Sequence, residues 1–263
     1  MTTKIVATIE ARTGSTRLPV KVLADLAGQP MLGHIIERLK RATRLDEIVV
    51  ATTRLDADDV IEELARSHGV EVYRGSEDDI LGRLAGAVQH SGADILVSVT
   101  GDNPYIDGIF LDDAIAFREH GSYDYVGSTH MQHSEHWHAQ KTFPSGISVQ
   151  VVAAPAVVAE DGVVEGIEAR ALGLQAVYGR ADGKYTRGAL QAEGRYASCS
   201  HPQLRLTVDT PQDLELAQRV FGQLYPRDPQ FSMVDAINLV ASTPELLAII
   251  AGIVQRSPTK TAP

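Results

Sequence analysis

The sequence predicts an α/β fold, in which a mostly parallel central sheet is covered by helices on both faces. Three observations support this prediction. Short apolar runs recur through the first half of the chain, each is followed by a segment with helical spacing of its apolar residues, and the connections between them are short and polar. Such repeated strand–helix units are typical of parallel sheets, because parallel neighbours need a crossover connection.

The first half of the chain, from residue 4 to about residue 127, alternates strand and helix. The predicted strands cover residues 5–9, 48–52, 70–74, 94–99 and 123–127. The predicted helices cover residues 31–39, 56–68, 77–90 and 108–119. Asp56 is the expected N-cap of the second of these helices, and Gly69 is the residue expected to follow its end.

The second half of the chain is less regular. Residues 128–145 are polar, show no periodicity and predict a loop or lid. Strands are predicted at 147–152 and 204–208, and helices at 154–160, 184–193, 211–224, 233–241 and 244–255, before a polar tail. Thr210 is the expected cap of the helix that Pro211 begins.

The composition is that of an ordinary folded protein, with 44% hydrophobic and 22% charged residues. A net charge of −10 argues against broad nucleic-acid binding, and it means that an anionic substrate must be met by local cations. The single cysteine, Cys199, excludes an intrachain disulfide, and a buried or incidental thiol is the favoured interpretation over a nucleophile. No apolar stretch is long enough to span a bilayer and no signal peptide is recognisable, so we expect a cytoplasmic protein without a membrane partner.

The loop after the first strand carries the strongest functional signal. Residues 10–21 read EARTGSTRLPVK and lie where α/β sheets commonly bind nucleotides. One glycine permits close backbone approach, two hydroxyls can donate to phosphate oxygens, and three cations can neutralise a triphosphate. These residues are Gly14, Ser15, Thr16, Arg12, Arg17 and Lys21. The alternative is a solvated basic loop, and the sequence matches neither the Walker nor the dinucleotide motif.

Two aspartates follow predicted strands at equivalent places. Asp102 lies in Thr-Gly-Asp-Asn-Pro, and Asp209 lies in Val-Asp-Thr-Pro. The carboxyl ends of parallel strands form the ligand-binding edge of such sheets. Two carboxylates meeting there repel each other unless a cation lies between them, and Mg²⁺ is commonly held by one or two carboxylates plus substrate phosphates. The alternative is that Asp102 forms a turn and Asp209 belongs to a helix cap.

In this order, the motifs resemble those of the cytidylyltransferase family, which includes CMP-Kdo synthetase, acylneuraminate cytidylyltransferase and the spore-coat polysaccharide branch. Residues 5–23 resemble the opening signature of the family and residues 208–215 its closing motif. Residues 31–34, 48–52, 74–81 and 100–107 are similar to the spore-coat branch in particular. The resemblance implies a Rossmann-like nucleotidyltransferase domain that uses CTP and Mg²⁺ to transfer CMP to an acidic acceptor, releasing pyrophosphate.

The resemblance also implies roles for residues of this chain. The CTP phosphates would be bound by residues of the first loop, with Arg17, Lys21 and Asp102 as catalytic residues. Mg²⁺ would be held by Asp102 and Asp209. Arg74 and Ser76 would lie near the cytosine, although Arg74 has a surface ion pair with Glu77 or Asp78 as its alternative.

The same resemblance sets expectations for the whole chain. Dimers are usual in the family, so a homodimer is expected. Residues 1–263 would form one domain, with a nucleotide-binding core at 1–127 and 204–225. Residues 128–203 would then be an acceptor-binding, lid or dimer insertion, and residues 226–263 would be C-terminal helices and a tail.

The acceptor region departs from the spore-coat pattern, because residues 143–151, FPSGISVQV, carry neutral residues where that branch is acidic. The cations retained nearby would suit a strongly anionic acceptor. They are Lys141, Lys184, Arg187 and Arg195. Since some members of the family that the chain resembles transfer CMP to small phosphonates such as phosphonoformate, a phosphonate is the favoured hypothesis. A sugar acid of the octulosonic or nonulosonic type is the alternative.

Four histidines at positions 130, 133, 136 and 138 suggest zinc, but they lack a helix or strand context, and a surface loop is the favoured interpretation. Trp137 is interpreted as a lid or interface anchor. Three other functions remain open: a nucleotide-binding module without turnover, a glycosyltransferase, and a nucleotidyltransferase that uses another base. Pyrophosphate release separates the first of these from an enzyme, and the absence of an Asp-x-Asp motif argues against the second.

Overall fold

The computed structural model of the protein describes residues 2–129, 137 and 139–253. The strands in this part of the chain are β1 (Ile5–Glu10), β2 (Asp25–Leu26), β3 (Gln29–Pro30), β4 (Glu47–Thr53), β5 (Glu71–Gly75), β6 (Ile95–Thr100), β7 (Tyr125–Gly127), β8 (Gln150–Ala153) and β9 (Arg187–Ala189). The helices are α1 (Met31–Leu39), α2 (Asp59–Ser67), α3 (Ile80–Ser91), α4 (Gly108–Gly121), α5 (Ala154–Asp161), α6 (Ile167–Arg170), α7 (Gln175–Tyr178), α8 (Pro211–Leu224), α9 (Met233–Ser242) and α10 (Pro244–Ile249).

Seven of the strands form one sheet, in the order β5-β4-β1-β6-β8-β7-β9. All neighbours are parallel except β8, which runs antiparallel to both β6 and β7. The carboxyl ends of six strands therefore share one edge with the start of β8, where Gln150 pairs with both Ser98 and Gly127. The mostly parallel sheet predicted from the sequence is confirmed.

The two faces of the sheet are covered by different helices. Ile5, Ala7 and Ile9 of β1 pack on one face into a core shared with α1, α4, α8 and α9. On the other face, Leu96 and Val152 pack against α3, α5 and α7. The predicted covering by helices on both faces is thus confirmed. None of the helices in the described ranges is long and apolar enough to cross a membrane.

Two predicted elements of the second half are wrong. The strand predicted at 204–208 is represented only by an isolated bridge between Ser145 and Arg205. Its alternating residues are buried, as in a strand, but they pack at the end of the sheet without pairing along it. The helix predicted at 184–193 contains the edge strand β9, because pairing with β7 outweighs local helical preference.

Several helix boundaries differ from expectation. Asp56 begins a 3₁₀ turn and α2 begins only at Asp59, so the predicted cap is wrong. Gly69 does follow α2 in a left-handed conformation, with φ of 66°. Thr210 caps α8 as predicted, and α10 ends at Ile249 rather than near residue 255. Residues 128–129, 137 and 139–145 contain no helix or strand, and the rest of the predicted lid and the whole polar tail lie outside the described residues.

Candidate active site

The loop after β1 is anchored by one buried carboxylate. Asp58, in the 3₁₀ turn before α2, accepts hydrogen bonds from the Thr13 backbone N–H at 2.8 Å and from the Thr13 hydroxyl at 2.6 Å. The Thr53 hydroxyl, at the end of β4, donates to the second oxygen of Asp58. Burial by itself would raise the pKa of Asp58, but these donors lower it. The carboxylate is therefore charged at neutral pH and fixes the start of the loop.

The loop then turns back on itself. The Thr13 carbonyl accepts from the backbone N–H of Ser15 at 2.8 Å and from that of Val20 at 2.9 Å. Val20 has a φ of 59°, a conformation that a β-branched residue adopts only when the surrounding structure imposes it. The turn places Lys21 at the start of the following 3₁₀ turn, beside the carboxyl end of β6.

The Lys21 ammonium lies between the two predicted carboxylates. Its Nζ donates to Asp102 Oδ2 at 2.9 Å and to Asp209 Oδ1 at 2.8 Å. Burial alone would lower the pKa of Lys21, but the two carboxylates raise it above its usual value. The cation that two converging carboxylates require is thus a side chain of the protein itself.

Backbone contacts bring the two aspartates to the same place. The Val208 N–H donates to the Asp102 carbonyl at 2.9 Å, which joins the segment before α8 to the end of β6. The Thr100 hydroxyl donates to Asp102 Oδ1 at 2.6 Å and orients that carboxylate. Asp213 accepts from the Asp209 backbone N–H at 3.0 Å within the capping box of α8. The helix cap therefore also fixes the position of Asp209.

Two arginines complete the surroundings of Asp209. Arg17 Nη2 lies 3.0 Å from Asp209 Oδ1, and Arg205 Nη2 lies 2.9 Å from Asp209 Oδ2. Arg205 is buried and also pairs with Asp213 through Nε at 2.8 Å. Burial would raise the pKa of Asp209, but Lys21 and the two arginines lower it. This edge of the sheet is therefore a dense cluster of alternating charges.

A cavity of about 290 Å³ opens at this cluster. Its lining brings together most of the predicted site, namely Arg12, Ser15, Thr16, Arg17, Lys21, Asp102 and Asp209. A larger cavity of about 580 Å³ lies at the opposite edge, where β4 and β5 begin, and includes Glu47, Glu71 and His90. The smaller cavity is the better candidate, because it lies at the carboxyl ends of the strands and contains the converging charges.

Comparison with known proteins identifies the family of the chain. The profile of the family described as cytidylyltransferase matches residues 6–143, which is more than half of the chain. The chain belongs to the cytidylyltransferase family. The spore coat polysaccharide biosynthesis protein SpsF of Bacillus subtilis is 29% identical over 244 residues, covering 90% of this chain and 94% of that protein. The 3-deoxy-manno-octulosonate cytidylyltransferase of Geobacter sulfurreducens is 46% identical over 114 residues, covering 43% of this chain and 44% of that protein.

The whole fold is also similar to that of a solved family structure. A cytidylyltransferase from Leptospira borgpetersenii superposes with a TM-score of 0.81 at 27% identity, covering 97% of this chain and 100% of that chain. Some curated relatives are matched only in part, and the chain spans about half the length of the Methanocaldococcus jannaschii relative and of the Geobacter enzyme.

Within this cytidylyltransferase, three predicted residues lie apart from the cavity lining. Gly14 packs against Glu77, and a Cβ at that position would lie 2.7 Å from Glu77 Oε1. Arg74 forms ion pairs with Asp59 and Glu62 of α2, a different pair of carboxylates from those considered from the sequence. Ser76 is exposed and its hydroxyl accepts from the Asp79 N–H at 3.3 Å. The structure thus does not bring Arg74 and Ser76 to the other predicted residues.

The cations predicted to meet the acceptor are separated from one another. Lys184 donates to the buried Glu160 at 2.8 Å, and Arg187 donates to the Tyr178 carbonyl at 2.8 Å. Because Arg187 is the first residue of β9, it lies at the edge of the sheet opposite to the cavity. Lys141 is different, since it donates to the Ser145 hydroxyl at 2.8 Å and Ser145 bridges Arg205 beside Asp209. Of these three cations, only Lys141 is connected to the site.

The remaining candidates add little chemistry. The four histidines at 130, 133, 136 and 138 lie outside the described residues, and within the described ranges there is no group of three or more metal-ligating side chains. Cys199 is buried in the core, and burial raises the pKa of its thiol, as expected for an unreactive cysteine. Trp137 packs edge-on against Tyr125, with ring centroids 5.6 Å apart.

Sequence reasoning missed three charged residues at this site. Arg205 was assigned to a strand interior, where its pairing with Asp209 and Asp213 could not be recognised. Glu10 and Arg83 also line the cavity. Glu10 ends β1 and begins the loop of residues 10–21, where no role was predicted for it, and Arg83 lies in the first turn of α3, whose apolar residues indicated only core packing. The signal available for Glu10 was its position, directly after a buried strand at the ligand-binding edge.

We expect Glu10→Gln to be more stable than the wild type at neutral pH. Burial raises the pKa of Glu10 above its usual 4.5, and the Ser98 hydroxyl, which donates at 2.6 Å, and Arg83 oppose this only in part. A carboxyl with a raised folded-state pKa contributes stability fully below the unfolded-state pKa and loses it as pH rises through the folded-state pKa. The free energy of unfolding in urea, measured from pH 4 to 8, should favour the variant at high pH and converge with the wild type near pH 4. A constant difference at every pH would contradict this prediction.

Proposed function

We propose that the protein transfers CMP from CTP to the acid group or hydroxyl of a sugar acid, in a Mg²⁺-dependent reaction that releases pyrophosphate. The observation that carries the proposal is the Lys21 ammonium held between Asp102 and Asp209 at 2.9 and 2.8 Å, beside a loop of further cations. A purely binding module would gain nothing from two carboxylates directed at the place where phosphates are expected. Membership of the cytidylyltransferase family supports the nucleotide and the reaction.

The residues present fit a divalent cation. Asp102 Oδ2 and Asp209 Oδ1 both lie within 2.9 Å of one point, which is now filled by Lys21 Nζ, so the two carboxylates already converge on a single positive charge. Asp102 and Asp209 would hold Mg²⁺, which supplies neutralisation of the triphosphate charge. Lys21 is then free to donate to the phosphates, together with Arg17.

The chemistry required of the protein is mainly positioning and charge stabilisation. An acceptor oxygen attacks the α-phosphorus of CTP in line, the bond from that phosphorus to the bridging oxygen breaks, and pyrophosphate leaves with the electron pair. Where the acceptor is a hydroxyl, its proton is released to water. Lys21 and Arg17, which line the cavity, would stabilise the negative charge that develops on the phosphates. The hydroxyls of Ser15 and Thr16, together with backbone N–H groups of the loop, would orient the triphosphate.

A further cavity, next to the 290 Å³ cavity of the candidate active site, supports a sugar acid as the acceptor. It has a volume of about 270 Å³ and shares Glu10, Ile80 and Thr100 with that cavity. Gln150 and Tyr178 contribute hydrogen-bonding groups, and none of the described residues that line it is Lys or Arg. Such a lining suits the hydroxyls and C–H groups of a sugar better than a compact phosphonate dianion.

The relatives point to the same acceptor class, because the Geobacter protein that matches part of the chain is named as a 3-deoxy-manno-octulosonate cytidylyltransferase. The acceptor carboxylate has one candidate partner in Lys141, which is connected to Asp209 through Ser145 and Arg205. Lys184 and Arg187 supported the phosphonate hypothesis, and their positions remove that support. A homodimer stays a prediction of the family resemblance.

Pyrophosphate release is the direct test. The purified protein is incubated with Mg²⁺ and CTP, UTP, GTP or ATP, each against sugar acids, sugar phosphates and phosphonates. We expect turnover with CTP and a sugar acid, and its loss when EDTA removes the metal. Turnover with phosphonates and with no sugar acid would reverse the acceptor assignment, and turnover with another nucleotide alone would refute the cytidylyltransferase proposal.

A further inference from the structure

One side of the candidate active site carries none of the residues proposed to bind the triphosphate. The cations and paired carboxylates come from the first loop and from the segments around residues 102 and 209. On the side formed by α3 and the end of β1, the lining is Ile80, Arg83 and Glu10. A nucleotide whose phosphates lie among the loop cations has only its nucleoside part left to fill this side.

Arg83 is held rigidly and retains unused donors. It is only 4% exposed, and its Nη1 donates to the carbonyls of Ser76 at 2.5 Å and Glu77 at 3.4 Å. Its stem packs against the end of β5, where a Cβ on Gly75 would lie 2.9 Å from Arg83 Cγ. Its Nε is buried and donates to no described residue, and its Nη2 has no described acceptor either. A buried guanidinium edge without acceptors is costly unless a ligand provides them.

Glu10 presents the opposite charge to the same cavity. One carboxylate oxygen accepts from the Ser98 hydroxyl at 2.6 Å, which fixes the orientation of the side chain. Glu10 and Arg83 attract each other electrostatically, but they form no ion pair with each other. The space between an oriented acceptor and an oriented donor pair, both facing one cavity, is the arrangement that a polar planar ligand needs.

We infer that Arg83 and Glu10 read the base of the bound nucleotide, with the guanidinium donating to the O2 and N3 acceptors of cytosine and the carboxylate accepting from its exocyclic amine. This inference rests on the proposed function, since it takes the nucleotide to be CTP. It moves base recognition from Arg74 and Ser76 to residues that line the cavity. Arg83 also donates to the Ser76 carbonyl, so the loop after β5 is positioned by the same side chain.

The chemistry of the pair separates cytosine from uracil. Uracil has a donor at N3 and an acceptor at O4, so it would direct an N–H at the guanidinium and a carbonyl at the carboxylate. Both contacts become repulsive, and a site built for one hydrogen-bonding pattern discriminates strongly against its inverse. A Gln at position 10 can either donate or accept, so it would tolerate both bases.

Calorimetric titration of Mg·CTP, Mg·UTP and inorganic tripolyphosphate tests this inference. In Glu10→Gln and in Arg83→Lys, the preference for CTP over UTP should fall at least about tenfold, the loss expected for one lost polar base contact. Tripolyphosphate affinity should stay at the wild-type value in both variants, because neither residue belongs to the phosphate-binding side. Glu71→Gln, the same change at an exposed residue of the opposite edge, should retain the wild-type preference.

The outcomes separate the two proposals. If the wild type binds CTP and releases pyrophosphate, but both variants keep its CTP preference, base reading lies elsewhere and only this inference fails. If the wild type binds no nucleotide, the proposed function fails together with it. A parallel loss of CTP, UTP and tripolyphosphate affinity would show that the residues maintain the fold of the site and do not read the base. Thermal unfolding of each variant identifies that case independently.

Discussion

Lys21→Met is expected to lower the rate of pyrophosphate release from CTP by about 10²–10³-fold. This is the usual cost of removing one protein group that stabilises the charge developing in a transition state. Lys21 lies between Asp102 and Asp209, and in the proposed reaction it is the cation that would bind the phosphates when a metal takes its position. Steady-state rates at saturating CTP and acceptor measure the effect. A variant with a rate within a few-fold of the wild type would exclude Lys21 from catalysis.

The same substitution should strengthen metal binding in the absence of nucleotide. If Mg²⁺ binds as proposed, the ammonium of the wild type would compete with it for the two carboxylates, whereas in Lys21→Met the carboxylates would repel each other without a cation. We therefore expect Mg²⁺ to raise the melting temperature of the variant more than that of the wild type. Lys40→Met, at a partly exposed lysine that pairs with Glu37, is the matched control and should show neither effect.

Arg205→Met is expected to reduce the free energy of unfolding by about 3–5 kcal/mol, because removing one member of a buried ion-pair cluster leaves uncompensated buried charge. Arg205 is 6% exposed and pairs with both Asp209 and Asp213. Urea denaturation at pH 7 measures the loss. The effect should diminish toward low pH, because protonation of Asp209, whose pKa is lowered by its neighbouring cations, removes a charge that Arg205 compensates.

An exposed arginine on α8, the helix that carries Asp213, provides the comparison. Arg219 of α8 pairs with Glu215 at 2.9 Å, with more than half of its side chain exposed, and Arg219→Met should change stability by less than about 1 kcal/mol. In addition, Asp213→Asn should cost less in the Arg205→Met background than in the wild type, because the two residues are coupled. Additive losses would show that the pairing contributes little to stability.

The sequence was sufficient for the elements whose signals are local. β1, β4 and β6 are continuous apolar runs because they are buried on both faces, and their extent followed directly from that pattern. Asp102 could be placed because it comes directly after such a run. The position of Asp209 at the same edge could be predicted because Thr210 and Pro211 indicate the start of the helix that follows it.

The parts that could not be predicted depend on contacts between distant segments. Whether Arg74 meets the nucleotide or the carboxylates of α2 is decided by helix packing, which brings Asp59 and Glu62 beside it. β9 forms because it pairs with the unpaired side of β7, and no pattern within residues 184–193 indicates that this strand will be its neighbour. Arg83 and Arg205 are buried by segments that are distant in the sequence. Their burial could not be predicted, because a charged residue is normally expected at the surface.

The contact between Lys21 and Asp209 joins residues that are 188 positions apart. During synthesis at about 5–20 residues per second, Asp209 is made roughly 10–40 s after Lys21. The first strands and the basic loop can collapse in that time, but the charge cluster cannot close. Until residue 209 is made, Lys21 has only Asp102 of its two carboxylate partners, and Arg17 lacks Asp209, the carboxylate with which it pairs.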